Sequence, residues 1–168
     1  MKSEYQSVVE EVKNLKGIEE AVALAIEREK EARDFYLSRA ALMDNPKFKE
    51  LYEHLANEEV KHLGYLEGYR DKRQLPVIST EMPSGQSFTP EFDIGRTKGG
   101  EVTLGDAGIL VAALRHERKS EDFYSEVAKR AGDEDLRKFF EMLASYERGH
   151  YELIDSFLDE ITRFRMQT

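Results

Sequence analysis

Apolar residues recur every three to four positions along four long segments of the chain, which is typical of amphipathic helices that bury one face. In the first segment the apolar stripe contains Val22, Ala25, Ala32 and Tyr36. The other three stripes contain Leu51, Leu55 and Leu66; Leu110, Ala113 and Tyr124; and Leu136, Phe139, Leu143, Ile154 and Phe157. This pattern predicts an all-α protein with a core of four packed helices.

Turn signals group these helices into two hairpins. Asn45 suits a helix cap and Pro46 a first helical position, while Gly132 suits a helix stop and Asp133 the next cap. Pro, Gly, Ser and Thr are concentrated in residues 75–103, which predicts a long connection. The predicted units are an N-terminal arm or short helix (1–16), a first hairpin (17–74), the link (75–103) and a second hairpin (104–163).

The two hairpins are copies of each other. A shift of 88 residues aligns them without a gap and gives thirteen identities between Gly17 and Asp71 of the first hairpin and their counterparts. Such a repeat indicates a bundle with internal pseudo-two-fold symmetry. Helices of this length make a bundle about 40 Å long, and an extended link of this size can cross it. We therefore predict a four-helix bundle with one long crossover connection.

Glutamates and histidines interrupt every apolar stripe near its middle. Each hairpin has one Glu on its first helix and a Glu-x-x-His on its second, and the i, i+3 spacing puts that pair on one face. Counted along the helices, both glutamates of a hairpin lie about 20 to 25 Å from its turn, so the groups meet at one level. The residues are Glu29, Glu59 and His62 in the first hairpin, and Glu117, Glu147 and His150 in the second.

Four buried carboxylates require positive charge, because each would cost several kcal/mol if left unpaired, even after relaxation. Two divalent metals would cancel four negative charges, and oxygen-rich donors with some imidazole suit Fe and Mn. By symmetry, we expect Glu59 and Glu147 to bridge the metals. Glu29 and His62 would serve one metal, and Glu117 and His150 the other.

Four further side chains of interest are less specific. Tyr36 and Tyr124 follow the predicted ligands Glu29 and Glu117 by seven residues. They could donate hydrogen bonds to the ligands, act as redox-active neighbours, or simply fill the core, and we favour the core role. His54 and His116 have no matching histidine in the other repeat, so we expect them at the surface or rim.

Composition narrows the function classes. A net charge of −9 argues against nucleic acid as a partner. The absence of Cys excludes disulfides, Cys-ligated zinc and iron–sulfur or rubredoxin-type centres in this sequence. The apolar run Ile109 to Leu114 is as long as any in the chain and is far too short to span a bilayer, and the N-terminal residues have no apolar signal core. We expect a cytoplasmic protein without membrane contact.

The motifs around these glutamates resemble those of the rubrerythrin and ferritin-like family. Residues Glu29 to Tyr36 resemble its first-helix motif E-x-x-A-R-x-x-Y, and Leu55 to His62 and Leu143 to His150 resemble L-A-x-x-E-x-x-H. The resemblance covers about residues 17–163. It implies a ferritin-like fold with two iron ions, with manganese or a mixed pair as alternatives. It also implies that Fe(II) is oxidised by hydrogen peroxide or dioxygen.

Three departures from the family pattern refine this expectation. Rubrerythrins proper carry an extra Glu one turn after the third-helix ligand, where this chain has Ser120. They also carry a rubredoxin domain, so this Cys-free chain would need an external electron-donor protein. Bacterioferritins place a haem-binding Met directly after the second-helix Glu, where this chain has Val60, and no haem is expected.

Three functions follow from the resemblance. We favour a rubrerythrin-like redox protein in oxidative-stress defence or iron handling, assembled as a homo-oligomer of at least two chains. The first alternative is an iron-binding or storage subunit of a ferritin-type cage, or a cargo of a protein shell. The second is an oxygen-activating oxidase or hydroxylase, which would need an apolar pocket reaching the metals.

Overall fold

The computed structural model describes residues 2–77 and 104–167. Their regular structure consists of five helices: α1 (Glu4–Asn14), α2 (Ile18–Leu42), α3 (Pro46–Lys72), α4 (Leu104–Arg130) and α5 (Glu134–Gln167). Helix α2 packs along α3 and α4 packs along α5, which gives the two predicted hairpins. The protein is an all-α, ferritin-like helical bundle, and the predicted fold class is confirmed.

The hairpin turns use the caps that the sequence indicates. The Asn45 side chain accepts a hydrogen bond from the Lys47 N–H at 3.0 Å, and Pro46 is the first residue of α3. At the second turn, the Asp133 side chain accepts from the Leu136 N–H at 3.0 Å. These bonds satisfy backbone donors that have no partner within a helix, and so fix where α3 and α5 begin.

Helix α1 is a fifth helix that lies against the second hairpin. A capping box starts it: the Gln6 N–H donates to Ser3 Oγ at 3.2 Å and the Ser3 N–H donates to Gln6 Oε1 at 3.0 Å. Its Val8 and Val12 are buried in the core, and the Tyr5 hydroxyl contacts Glu126 of α4 at 2.8 Å. The segment predicted as an arm or short helix is therefore a docked helix.

The core consists of two apolar clusters, one at each end of the bundle. The cluster near the second turn includes Val22, Leu66, Val127 and Phe139. The cluster near the first turn includes Tyr36, Leu51, Leu110 and Phe157. Each cluster takes residues from all four long helices. This assignment makes α2 antiparallel to α4, and α3 antiparallel to α5.

The same assignment places the end of α3 and the start of α4 at opposite ends of the bundle. The chain between Lys72 and Leu104 therefore connects the two ends, as a crossover link would. Residues 78–103, which form most of the predicted link, lie outside the described residues. None of the helices in the described part has the length and apolar character needed to cross a membrane.

Candidate metal centre

The six predicted ligands form a polar layer between the two apolar clusters. None of these six residues is more than 5% exposed. They come from all four long helices, because each helix turns its interrupted stripe towards the bundle axis. The layer consists of Glu29 on α2, Glu59 and His62 on α3, Glu117 on α4, and Glu147 and His150 on α5.

These side chains form two overlapping groups of four. One group is Glu29, Glu59, His62 and Glu147, and the other is Glu59, Glu117, Glu147 and His150. Within each group, one donor atom from every residue lies within 4.8 Å of the others. Glu59 and Glu147 belong to both groups. The structure thus brings the residues together in the distribution that the sequence repeat predicts, with two shared carboxylates and one Glu and one His particular to each group.

The first histidine turns its Nδ1 towards the carboxylates. His62 Nδ1 lies 3.1 Å from Glu59 Oε2, 3.1 Å from Glu147 Oε1 and 3.4 Å from Glu29 Oε2. Nδ1 is therefore the atom that a metal in this group would bind, and Nε2 points away from the carboxylates.

The second histidine repeats this arrangement. His150 Nδ1 lies 3.4 Å from Glu117 Oε2 and 3.5 Å from Glu59 Oε1. The rings of His62 and His150 stack with centroids 5.3 Å apart and planes 17° from parallel. The two imidazoles therefore stand side by side across the α3–α5 contact and serve neighbouring groups.

The carboxylates divide into two kinds by their pKa. Burial raises the pKa of Glu59 to about 7, and the charge of Glu29 adds to this effect. Burial likewise raises the pKa of Glu147, with repulsion from Glu59. Burial acts in the same direction on Glu29, but hydrogen bonds and attraction from His62 outweigh it and lower its pKa to about 2. His150 lowers the pKa of Glu117 in the same way. The shared glutamates therefore bind protons more readily than the outer two.

The histidines also retain protons in this environment. Burial alone would lower the pKa of both rings. The close carboxylates of Glu147 and Glu29 raise it for His62 instead, and those of Glu117 and Glu59 raise it for His150. A metal needs a neutral imidazole and ionised carboxylates, so a cation entering this layer would displace these protons.

Unpaired polar atoms indicate that the layer is completed by a cation. Among the described residues, Glu59 Oε1, Glu117 Oε2, Glu147 Oε1 and His150 Nδ1 are buried without a hydrogen-bond partner. Each such atom typically costs about 1–3 kcal/mol. All four belong to the two groups, and all are donor types that Fe and Mn accept. The residues therefore fit a pair of divalent cations.

Comparison with known proteins supports the same assignment. The Rubrerythrin family profile matches residues 20–158, a range that includes all six side chains of the polar layer. The chain belongs to the rubrerythrin family. A solved structure of a hypothetical protein from Pyrococcus furiosus is similar over 93% of this chain and 96% of that one, with a TM-score of 0.70 and 24% identity. That likeness shows the fold. No curated protein matches the sequence at a significant level.

Two tyrosines connect the polar layer of this rubrerythrin-family chain to the apolar clusters. The Tyr36 hydroxyl on α2 donates to Glu117 Oε1 on α4, and the Tyr124 hydroxyl on α4 donates to Glu29 Oε1 on α2. Both rings are fully buried, and burial next to these carboxylates raises both tyrosine pKa values, so both phenols stay protonated. The tyrosines fill the core, as we favoured, and also hold the outer glutamate of the opposite hairpin.

The sequence pattern did not indicate one buried carboxylate beside the layer. Glu121, one turn after Glu117, is only 5% exposed. It accepts hydrogen bonds from Arg118 Nη1 and Arg148 Nε, both at 2.8 Å. Its position, four residues after Glu117 along the same helix, could have indicated a side chain near the layer. The extra Glu of the family motif falls instead at position i+3, which here is the buried Ser120. Glu121 belongs to neither group of four, and the arginines neutralise it.

Proposed function

We propose that this chain is a rubrerythrin-like di-iron protein whose iron is oxidised by hydrogen peroxide or dioxygen, in oxidative-stress defence or iron handling. The observation that carries the proposal is the pair of four-residue groups joined through Glu59 and Glu147 inside the bundle. Two bound Fe(II) ions would supply the two electrons that, together with two protons, convert hydrogen peroxide to two water molecules. Manganese or a mixed pair would fit the same donors.

The residues of the layer contribute binding, orientation and charge balance. Glu59 and Glu147 reach both groups, so either carboxylate can contact both cations. The Tyr36 and Tyr124 hydroxyls fix the rotamers of Glu117 and Glu29 by occupying one oxygen of each. The apolar clusters above and below keep water away from the polar layer, which strengthens every electrostatic interaction inside it.

A catalytic cycle would need reducing power from outside this chain. Oxidised iron must regain two electrons, and a chain without Cys has no rubredoxin-type centre to relay them. The proposal therefore includes an external electron-donor protein. It also includes a homo-oligomer of at least two chains in the cytoplasm, and these points remain predictions.

The test is metal analysis followed by anaerobic Fe(II) loading and rapid mixing with each oxidant. We expect two iron ions per chain. The absorbance change that accompanies oxidation of the iron should be faster with peroxide than with dioxygen. A chain that binds iron but reacts with neither oxidant contradicts the redox proposal. A large hollow assembly holding far more than two iron ions per chain would favour storage instead.

A matched variant checks that the reaction depends on the layer. Glu59→Ala combined with Glu147→Ala removes both shared carboxylates, and we expect it to abolish binding of the metal pair. Circular dichroism should show the helices intact, because the apolar clusters are untouched. Unchanged binding of two ions in this variant would contradict the assignment.

A further inference from the structure

A partly enclosed cavity lies near the second turn of the bundle, where α1 meets the ends of three long helices. Its volume is about 370 Å³, and pockets for small molecules typically have roughly 300–1,000 Å³. Its lining comes from the end of α1, the start of α2, the end of α4 and the start of α5. No side chain of the polar layer lines it, and Ile18 at its wall precedes Glu29 by eleven residues of α2, or about 16 Å. The cavity is therefore separate from the candidate metal centre.

Most of the residues that line this cavity are apolar. Val12 of α1, Ala21 of α2 and Val127 of α4 belong to the buried core, and each is at most 3% exposed. Leu15 and Leu136 also line the cavity and are only partly buried. A ligand that covers these side chains removes apolar surface from water, which favours binding. The cavity therefore suits the alkyl part of a ligand.

The charged residues that line the cavity are cations. Lys16 and Arg130 belong to the lining, and none of the described residues in it is acidic. Lys16 is largely exposed, and its Nζ lies 4.0 Å from Glu20. The Arg130 guanidinium donates through Nη1 to the Val12 carbonyl oxygen, and no carboxylate in the described part of the chain forms an ion pair with it. Arg130 therefore brings a positive charge without a counter-ion to an apolar cavity, in a chain whose net charge is −9.

The duplication of the hairpins does not account for this arrangement. The shift of 88 residues takes Leu42 to Arg130, so the first hairpin has an apolar residue where the second has the cation. Val12 precedes the repeated segment, which begins at Gly17, so α1 adds its part of the lining independently of the repeat. The cation and the α1 lining are thus two separate additions to the repeated bundle, and both contribute to one cavity.

We propose that this cavity binds one medium-chain carboxylate, with the alkyl chain against the apolar lining and the carboxylate on the Arg130 guanidinium. Arginine has five N–H donors in a planar fork that matches a carboxylate, and the bond to Val12 uses only one of them. The cavity has room for about twelve groups the size of a water molecule, so an acyl chain of about eight to ten carbon atoms fills it. The bound chain contacts α1 and the second hairpin together, and so stabilises the docked position of α1.

The test is calorimetric titration of the full chain with acetate, hexanoate, octanoate and decanoate at one pH and ionic strength. We expect one octanoate per chain and no measurable binding of acetate, which has no alkyl chain to bury. Affinity should rise about fourfold for each methylene group that enters the cavity, or about 15-fold from hexanoate to octanoate. The increase should end at about ten carbon atoms, where the cavity is full.

Variants separate the roles of charge and shape. Arg130→Gln removes the cation and should weaken octanoate binding about 10-fold, because a hydrogen bond to a charged group is lost, while binding of octan-1-ol should not change. Arg130→Lys should restore most of the affinity. Arg115→Gln is the matched control, since Arg115 is an exposed arginine of α4 outside the cavity lining. Ala21→Leu fills the cavity and should abolish binding, and the Arg130 variants decide the question if Ala21→Leu does not fold.

Three results would overturn the inference. They are the absence of saturable octanoate binding, octanoate affinity that Arg130→Gln leaves unchanged, and affinity that keeps rising with chain length without saturation at one ligand per chain. The inference does not depend on the metal centre. Glu59→Ala combined with Glu147→Ala should bind octanoate as the unmodified chain does, whereas loss of binding in this variant would place the carboxylate at the polar layer and contradict the cavity assignment.

Discussion

The central layer of the bundle and the apolar clusters on either side of it differ in what they contribute to stability. The clusters bury aliphatic and aromatic side chains, which favours folding by about 25 cal/mol per Å² of apolar surface removed from water. The central layer instead buries four carboxylates and two imidazoles, a composition that opposes folding unless a cation compensates it. This contrast indicates that the layer is retained for function at a cost in stability.

The largest effect is expected in the apolar clusters. Leu55 and Leu143 are repeat counterparts, both fully buried, and lie in the clusters on opposite sides of the polar layer. Leu55→Ala and Leu143→Ala should each lower the free energy of unfolding by about 2–5 kcal/mol, because each leaves a cavity. Urea denaturation of the metal-free chain measures this. A loss below about 1 kcal/mol at either site would show that its cluster is poorly packed.

Substitution in the polar layer should have the opposite sign. Glu59→Met with Glu147→Met replaces both shared carboxylates by apolar side chains of similar length. In the metal-free chain it should raise the free energy of unfolding by about 1–4 kcal/mol, because buried carboxyl groups that the low-dielectric interior disfavours are removed. The same denaturation, in the presence of a chelator, measures it. A destabilisation as large as that of the leucine variants would contradict the contrast between the layers.

The pH dependence sharpens the comparison, since the polar layer contains buried carboxylates and imidazoles and the apolar clusters contain neither. The pKa of Glu59 is raised from 4.5 to about 7, and those of His62 and His150 are raised as well. Groups with raised pKa stabilise the folded state below their unfolded pKa and lose that contribution as pH rises through the folded value. The metal-free chain should therefore lose stability from about pH 5 to pH 8.

Metal should reverse that trend, because binding releases the same protons and strengthens as pH rises. Thermal unfolding with chelator and with Mn²⁺, over the same pH series, measures both slopes. Metal-free stability that rises across this range would contradict the proton distribution. On the acid side, the pKa of Glu29 is lowered to about 2, so its contribution is lost as pH falls below about 4.5.

The smallest effect is expected at the boundary between the polar layer and the apolar clusters. Tyr36→Phe and Tyr124→Phe each remove one hydroxyl that donates to an outer glutamate. Each should lower stability by about 1 kcal/mol, the typical net value of one hydrogen bond. The two variants control for each other, because their rings occupy equivalent places. A clear inequality between them would show that the two repeats differ inside the bundle.

The sequence was sufficient to predict the fold and to predict that the six side chains lie together. Glu29, Glu59 and Glu147 interrupt apolar stripes, and helical periodicity then determines both their face and their height. The duplication supplied the second half of the layer without further information. The caps at Asn45 and Asp133 could be predicted because they depend only on local hydrogen bonds.

The contacts that could not be predicted from the sequence are those that depend on which helices are neighbours. Tyr36 and Tyr124 each donate a hydrogen bond to a glutamate of the other hairpin, and these bonds require the antiparallel packing of α2 and α4. The docking of α1 rests on contacts such as Tyr5 with Glu126, which no repeat encodes. Glu121 escaped detection because its counterpart in the first hairpin is an arginine, so the duplication gave no signal there.

The most direct test of the account is anomalous X-ray diffraction at the iron edge from crystals of the iron-loaded chain. We expect two iron peaks inside the bundle, both in contact with Glu59 and Glu147. One peak should also contact Glu29 and His62, and the other Glu117 and His150. A single ion in the layer, or iron bound only on the outer surface, would contradict the central claim.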